Sequence, residues 1–513
     1  MDRLQPAYDY IVVGGGSGGA VVARRLAERG DASVLLLEAG PSDLGIPAIE
    51  DAANWTGLLR GPYDWGYDYA PSPHLNGRTI AIPRGRVLGG SSSINAMLWY
   101  RGHPRDYDAW EAAGAAGWNF RSVLPYFKRA EDWEGGETEF RGAGGPLRIE
   151  RPHNPHPLAL AMLDGAAELG LPVIDDPNGP SNEGASLANL NMSSGQRWSA
   201  ARGYLRAVAE RSNLAIRTRA LAIGLGFAAG RCVSVRCIVG RSIREIRAER
   251  EIILALGAID TPRLLLMSGI GPPDDLRRLG VSVVQALPGV GENLQDHPLL
   301  MGINFRARTP LGPVRDNGGG SMMNWKSRPE LAAPDLHAFV VQGPHAGAEI
   351  ASAYDLSGDV FAISPGLMRS ASVGRLRLHS AAPGGRIDIQ PNFLAEPADL
   401  EALIAGIDRV MDLAATSAFA SSATGPAAPD RRLTRSEKVA FIRNSCATFF
   451  HPCGTCAMGG DDRAVVDPQL RVRGIDGLRI ADASVIPIIP SCNTHAPVVM
   501  IAERAADLIR AAA

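Results

Sequence analysis

Lysine is almost missing from this chain: only Lys128, Lys326 and Lys438 occur among 513 residues. None closes a GxxxxGK[ST] stretch, so P-loop nucleotide hydrolysis, which needs that lysine on the phosphates, is excluded, and a lysine Schiff base has few candidates. Cysteine is scarce too. Six thiols (Cys232, Cys237, Cys446, Cys453, Cys456 and Cys492) at irregular spacing make no disulfide framework and point to a reducing compartment. An excess of either charge is absent: 52 basic against 54 acidic residues leave −2, too little for a surface built mainly around nucleic acid or anionic lipid. No run approaches the roughly 18 apolar residues of a membrane-spanning helix. Met1 to Tyr10 carries no basic-then-apolar leader pattern, so a cytoplasmic location is expected.

What is plentiful is glycine, 58 residues, together with 37 prolines and a 45% hydrophobic content. The chain can bury a large core, turns often, and has room for two or three packed units. Tyr10–Val13 is an apolar run suited to a buried parallel strand, and Gly14–Gly19 (GGGSGG) follows at once. A helical pattern over Ala20–Arg29 and a second apolar strand, Val34–Leu37, complete one βαβ unit. In this GxGxxG, Gly14 permits the tight turn, Gly16 lets backbone approach a pyrophosphate, and Gly19 lets the helix pack on the strand. Glu38 ends the second strand, where a carboxylate accepts from ribose hydroxyls and repels a 2′-phosphate; FAD or NAD is favoured over NADP.

A second glycine-rich stretch, Arg84–Asn95 (RGRVLGGSSSIN), runs directly into the apolar Ala96–Tyr100, which suggests a backbone-lined cofactor contact. Between Ile252 and Gly271 another strand feeds a helix, predicted to open near Thr261-Pro262 and to stop at Ser268-Gly269. Residues 300–400 alternate strand-like runs (Leu336–Val341, Val360–Ile363, Gly374–Leu378, Arg386–Ile389) with turns, predicting an antiparallel sheet that roofs the site. An amphipathic helix is predicted over Asp399–Leu413.

The densest reactive cluster comes last: Phe449-Phe450-His451-Pro452-Cys453-Gly454-Thr455-Cys456, then Asp482–Pro487 (DASVIP) and Asn493–Pro497 (NTHAP). With GxGxxG and Glu38, RGRVLGGSSSIN, GAIDTPRLLLMSGIGP and VGENLQDHP (Val290–Pro298) in that order, the chain resembles the glucose-methanol-choline (GMC) flavin oxidoreductases over essentially its whole length. In motif form it is similar to bacterial oxidases of hydroxymethylfurfural or pyridoxine type and to choline-type dehydrogenases. The resemblance implies an α/β fold, α+β overall. A Rossmann-like FAD-binding domain would combine residues 1–155, 200–300 and 460–513, and a substrate-binding domain of antiparallel sheet plus helices would combine 156–199 and 301–459.

It also implies cofactor contacts: Gly14, Gly16, Ser17, Gly19, Glu38 and Ala39 along the dinucleotide, and Ala222 at the adenine end. Arg84, Leu88, Gly89, Gly90, Asn95, Ala96, Met97 and Leu98 would lie around the flavin. Asp482 and Ala483 would approach the pyrophosphate and ribityl side, with His495, Ala496 and Pro497 completing the set. Members that attach FAD covalently do so through a histidine in the second glycine-rich loop; Ile94 stands there, so non-covalent FAD is expected.

Chemistry asks for the same parts, since a base must take the hydroxyl proton while the alcohol carbon lies against the flavin, and a neutral histidine suits this. By the family's pattern His451 is that base, and His495 stands at the second position, holding the substrate oxygen. The other eight histidines, His297 included, read as structural. Cys453 and Cys456 invite a redox-pair or a zinc reading, but no second ligand pair accompanies them; packing cysteines are expected, with no metal. Phe449, Phe450, Trp99 and Tyr100 suggest an apolar wall, with ordinary core packing as the equal alternative.

The expected reaction is oxidation of a primary, aromatic or heteroaromatic, alcohol to the aldehyde with oxygen as acceptor, giving hydrogen peroxide. The alternatives are a choline-like or aliphatic alcohol dehydrogenase using a quinone or carrier acceptor and, in another class, a non-oxidative flavin lyase, photoenzyme or flavin-binding protein.

Overall fold

The N-terminal apolar run forms β1 (Ala7–Val13), which pairs in parallel with β2 (Val34–Leu37) on one side and β3 (Ser242–Leu254) on the other. This is a computed structural model describing residues 4–512; residues 1–3 and 513, the outer ends of the segments assigned to the first domain, lie outside the described residues. Helices cover a parallel sheet on both faces, so its strands are apolar on both sides: Ile11, Val12, Leu35, Leu36, Ile252 and Ile253 are all fully buried.

Between β1 and β2 runs α1 (Ser17–Ala27). The strand Leu214–Arg217 extends the sheet in parallel beyond β2. The first half of β3 pairs antiparallel with Arg231–Val239, which pairs in turn with Ala220–Ala228. The last three residues of β3 pair in parallel with Leu478–Ile480 (β4). At the end of β3 the chain enters α2 (Gly257–Met267), four residues earlier than Thr261-Pro262 suggests. Asp482, just past β4, explains the early start: its carboxylate accepts from Gly257 N (2.9 Å) and Thr261 Oγ1 (2.5 Å).

The last helix, α3 (His495–Ala512), lies against α1 and against the helix Phe120–Ala130. Glu503 is the tie. Fully buried, it accepts from Arg25 and Arg129 (2.8 Å each) and from the Tyr204 hydroxyl (2.7 Å). Removing one partner of such a buried pair costs about 3–5 kcal/mol.

The second sheet is antiparallel, in the order 423–428, 304–307, 360–367, 336–341, 321–325, 184–187, and the strand 298–300 bridges 360–367 and 446–448. Pro298–Leu300 thus joins this sheet although it precedes the expected boundary at 300/301. Helices Pro397–Ala414 and Pro157–Glu168 pack on one face. Alternation along Leu336–Val341 sends Leu336 toward the first of these helices and turns Phe339 and Val341 the other way, over the first domain. The predicted strands near 375–378 and 387–390 form a separate two-stranded ribbon and take no part in the roof.

Candidate active site

One long cleft runs between the two sheets. Its floor is backbone. Gly14 turns the chain with φ of +101°, and a Cβ built on Gly19 would lie 1.8 Å from the Gly14 carbonyl oxygen, so α1 can sit on β1 only with glycine there. The second glycine-rich loop docks on the first: Gly89 N donates to Gly15 O (2.7 Å), and a Cβ on Gly16 would stand 3.8 Å from Gly90 Cα. Gly16 and Gly90 line the cleft where the two loops meet, and side chains there would intrude on it, which leaves the shape a dinucleotide needs at a helix N-terminus. Ser17, Ala39, Arg84, Asn95, Ala96, Leu98, Ala222 and Ala483 line the same space.

Glu38 lines it too, with both carboxylate oxygens already accepting from backbone, Oε2 from Gly15 N (2.9 Å) and Oε1 from Gly40 N (2.7 Å). Burial pushes its carboxyl up to about 7 against those donors. Each oxygen keeps a second acceptor site for a ribose hydroxyl. Asp482 also borders the cleft, but Gly257, Thr261 and Ser484 take up its oxygens, so it shapes the cleft and offers no free carboxylate.

Six expected contact residues stand behind the lining: Gly19 and Leu88 in the packing of the two loops, Gly89 as the turn that docks them, Met97 in a small cluster with Ala52, Ala188 and Met192, and Ala496 and Pro497 buried in the first turn of α3. Arg197, fully buried, clamps the flavin loop from behind, donating to the carbonyls of Ile49 and Asn95 and to Asn95 Oδ1.

The roof is made of side chains, and its centre is His451. Asp296, a fully buried carboxylate, accepts from His451 N (2.9 Å), His297 N (2.8 Å), Tyr69 Oη and Thr448 Oγ1 (2.5 Å each), and so fixes the backbone on which both imidazoles stand. His451 Nδ1 lies 2.9 Å from His297 Nδ1, and His451 Nε2 lies 3.1 Å from Asn493 Nδ2. An amide nitrogen can only donate, so in this orientation Nε2 is the acceptor and Nδ1 carries the ring proton, given to His297. Burial, with His297 and Arg84 nearby, holds the His451 pKa well below the ordinary histidine value; the ring is neutral, with its basic nitrogen at Nε2.

His495 lines the cleft as well. Its Nδ1 bonds Ser17 Oγ (3.0 Å), its ring meets Trp99 edge-on, and its Nε2 is buried with no partner among the described residues. Asn493 is the side chain bonded to His451, and His495 lines the same cleft with its Nε2 left open. The physical reason is local: His495 opens α3 and looks back at α1, whereas Asn493 lies before the helix and reaches across to His451.

Two further histidines read as structural enter the site, His297 against His451 and His345 in the cleft wall. Phe449 stacks on His451 (4.8 Å between centroids) and joins Phe339, Leu299 and Val341 as apolar lining. Phe450 also borders the cleft, in a left-handed conformation, φ +67°, with its carbonyl held by Arg84 (2.8 Å). Trp99 and Tyr100 do not reach the cleft: the Trp99 indole donates to buried Glu131 and Tyr100 packs near His337. Cys453 and Cys456 are buried free thiols, and burial pushes both well above the ordinary thiol range, so neither is poised to react.

Comparison with known proteins decides the family. Residues 8–299 and 370–502 match the N-terminal and C-terminal profiles described as GMC oxidoreductase. The chain belongs to the GMC oxidoreductase family. It is an FAD-dependent alcohol oxidoreductase with the fold of that family, a Rossmann-like FAD-binding domain joined to a sheet-and-helix domain. It is 38% identical to the mitochondrial choline dehydrogenase of Homo sapiens over 98% of this chain and 90% of that one. The oxygen-dependent choline dehydrogenase of Brucella anthropi is 36% identical over 98% of this chain and 95% of its own length. Among solved structures, a pyridoxine 4-oxidase from Mesorbium loti superposes with a TM-score of 0.93 at 34% identity, covering 97% of this chain and 98% of that one. Among the described residues no helix is long and apolar enough to cross a membrane.

Proposed function

We propose that this GMC oxidoreductase oxidises primary aryl or heteroaryl alcohols to aldehydes and returns the electrons to oxygen as hydrogen peroxide. The observation that carries the substrate class is the chamber beside His451. Its lining is apolar and aromatic, from Phe449, Phe339, Leu299 and Val341. The acidic residues along the cleft, Glu38, Asp260 and Asp482, all stand on the cofactor side with their oxygens bonded to protein donors. A quaternary ammonium substrate calls for an aromatic cage with a carboxylate; a flat neutral ring calls for the walls present here. Similarity to a pyridoxine 4-oxidase supports the same reading, and similarity to choline dehydrogenases keeps choline as the competing substrate.

FAD, when bound, supplies the two-electron oxidant that takes hydride from the alcohol carbon. The backbone floor would hold it, and with Ile94, apolar and buried, at the loop position expected of a linking histidine, it would be held without a covalent bond. The chain's own residues do the rest. The Asn493 amide donor passes from His451 Nε2 to the alcohol oxygen and so places it beside Nε2, which accepts the hydroxyl proton, while His297 keeps the other ring nitrogen protonated. Phe449 covers the imidazole and excludes water from it.

Anaerobic mixing of the yellow protein with benzyl alcohol, hydroxymethylfurfural, pyridoxine and choline tests this through flavin absorbance. The reading expects bleaching by the aromatic alcohols and rapid recolouring with peroxide once air enters. Bleaching by choline alone refutes the substrate class, and bleaching that persists in air refutes oxygen as the acceptor.

A further inference from the structure

The aromatic wall has a second polar end. Ring centroids step from His451 to Phe449 (4.8 Å), from Phe449 to Phe339 (5.3 Å) and from Phe339 to His345 (6.0 Å), and all four side chains line the cleft.

His345 is fixed from three directions. Its backbone N–H donates to Asn304 Oδ1 (2.9 Å), its carbonyl accepts from Asn304 Nδ2 (3.3 Å), and its Nδ1 bonds Ser364 Oγ (2.7 Å). Asn304 and Ser364 sit on paired strands of the roof and are both fully buried, so neither tie is free to wander. With Nδ1 held to the sheet, Nε2 is the nitrogen left for the cleft, and it has no hydrogen-bond partner among the described residues. Burial lowers the ring to about 4, which makes it neutral at working pH. No hydrogen bond among the described residues joins His345 to His451 or to the side chains that hold it.

We propose that His345 Nε2 is a substrate-binding group that takes a hydroxyl on the aromatic ring, at the end away from the reacting CH2OH. The preferred substrates are then hydroxylated aryl or heteroaryl methanols. This inference rests on the aryl-alcohol reading above and adds the second anchor point. A hydroxyl is the matching group because Ser364 can give or take the proton at Nδ1, leaving Nε2 as acceptor or donor, and a hydroxyl serves either. An unsubstituted ring would bury Nε2 with nothing opposite, and sites built to bond a substrate hydroxyl reject analogues that lack it far more strongly than apolar pockets reject a missing methylene.

The test compares 3- and 4-hydroxybenzyl alcohol with benzyl alcohol, measuring kcat/KM and the rate of anaerobic flavin bleaching. The native protein should favour the better hydroxylated alcohol by about thirtyfold or more. His345→Phe, which keeps the wall aromatic, should bring that ratio close to one, and Ser364→Ala, which frees the ring, should lower it part of the way. Intact flavin absorbance and circular dichroism confirm that both variants fold. If benzyl alcohols are oxidised with no preference, or with a preference that His345→Phe leaves in place, the subsite is wrong and the reaction stands. If no aryl alcohol bleaches the flavin, the reaction itself is wrong and the subsite falls with it.

Discussion

The floor and the roof of the cleft recognise their ligands by opposite means. On the floor the working surface is backbone, and side chains are excluded: Gly14, Gly16, Gly19, Gly89 and Gly90 stand where a Cβ would strike a carbonyl, force an unfavourable φ or fill the cleft. On the roof the work falls to particular side chains, Phe339 on a strand and His345, Phe449 and His451 on segments that follow strands. A backbone cradle tolerates almost no substitution because its constraint is steric. A side-chain roof can change its substrate by exchanging one residue while the sheet beneath stays put. The same cofactor floor can therefore serve many alcohols.

The contrast is sharpest at Gly19. Gly19→Val places branched atoms beyond a Cβ that already lies 1.8 Å from the Gly14 carbonyl, which only a shift of α1 can relieve. Purification should give colourless or insoluble protein, and a variant that stays yellow with native FAD stoichiometry would break the distinction. On the roof, His451→Ala should leave a folded yellow protein whose bleaching by alcohol is slowed by roughly a hundredfold or more, since the proton acceptor is lost.

The pH profile of the native protein sharpens this further. With the His451 pKa held well below 6.5 by burial and its neighbours, the base is already neutral at pH 7 and stays neutral on mild acidification. The rate of flavin reduction should be flat through pH 6.5, where a solvent-exposed histidine would lose half its activity. A mid-point near 6.5 that disappears in His451→Ala would show the base to be far more hydrated than its surroundings imply.

The floor was legible because sterics leave a pattern: a strand, three glycines at fixed spacing, a helix, and an acidic residue at the end of the next strand. His451 was legible only through the motifs around it. The bond of Asn493 to His451 was not anticipated because it and His495 are polar residues two apart in one short run, and which of them bonds His451 depends on where α3 begins. Helix-start reasoning carried the missing signal, since a residue ahead of the first turn projects differently from one within it. Phe339 and His345 had no such signal. They reach the cleft through the pairing of 336–341 with 360–367 and the clamp on Asn304, contacts between segments far apart in sequence. At Trp99 and Tyr100 the packing alternative holds, since proximity to the flavin loop in sequence left a wall and core packing equally open, and both rings are buried away from the cleft.

The smallest effects should come from the pair that sequence alone could not separate. Asn493→Ala removes the donor 3.1 Å from His451 Nε2 but leaves the base itself, so it should cost about tenfold to a hundredfold in the rate of flavin reduction, with FAD affinity little changed. His495→Ala removes a bond to Ser17 at the phosphate-facing start of α1. Its loss should appear mainly as weaker FAD retention on dilution or dialysis, with a smaller drop in flavin reduction once FAD is resupplied. The two variants thus place one residue on the roof and the other on the floor, although they sit two positions apart. If the phenotypes are exchanged, so that His495→Ala slows chemistry while Asn493→Ala sheds cofactor, then His495 turns toward the substrate when FAD binds and the division between backbone floor and side-chain roof does not hold at α3.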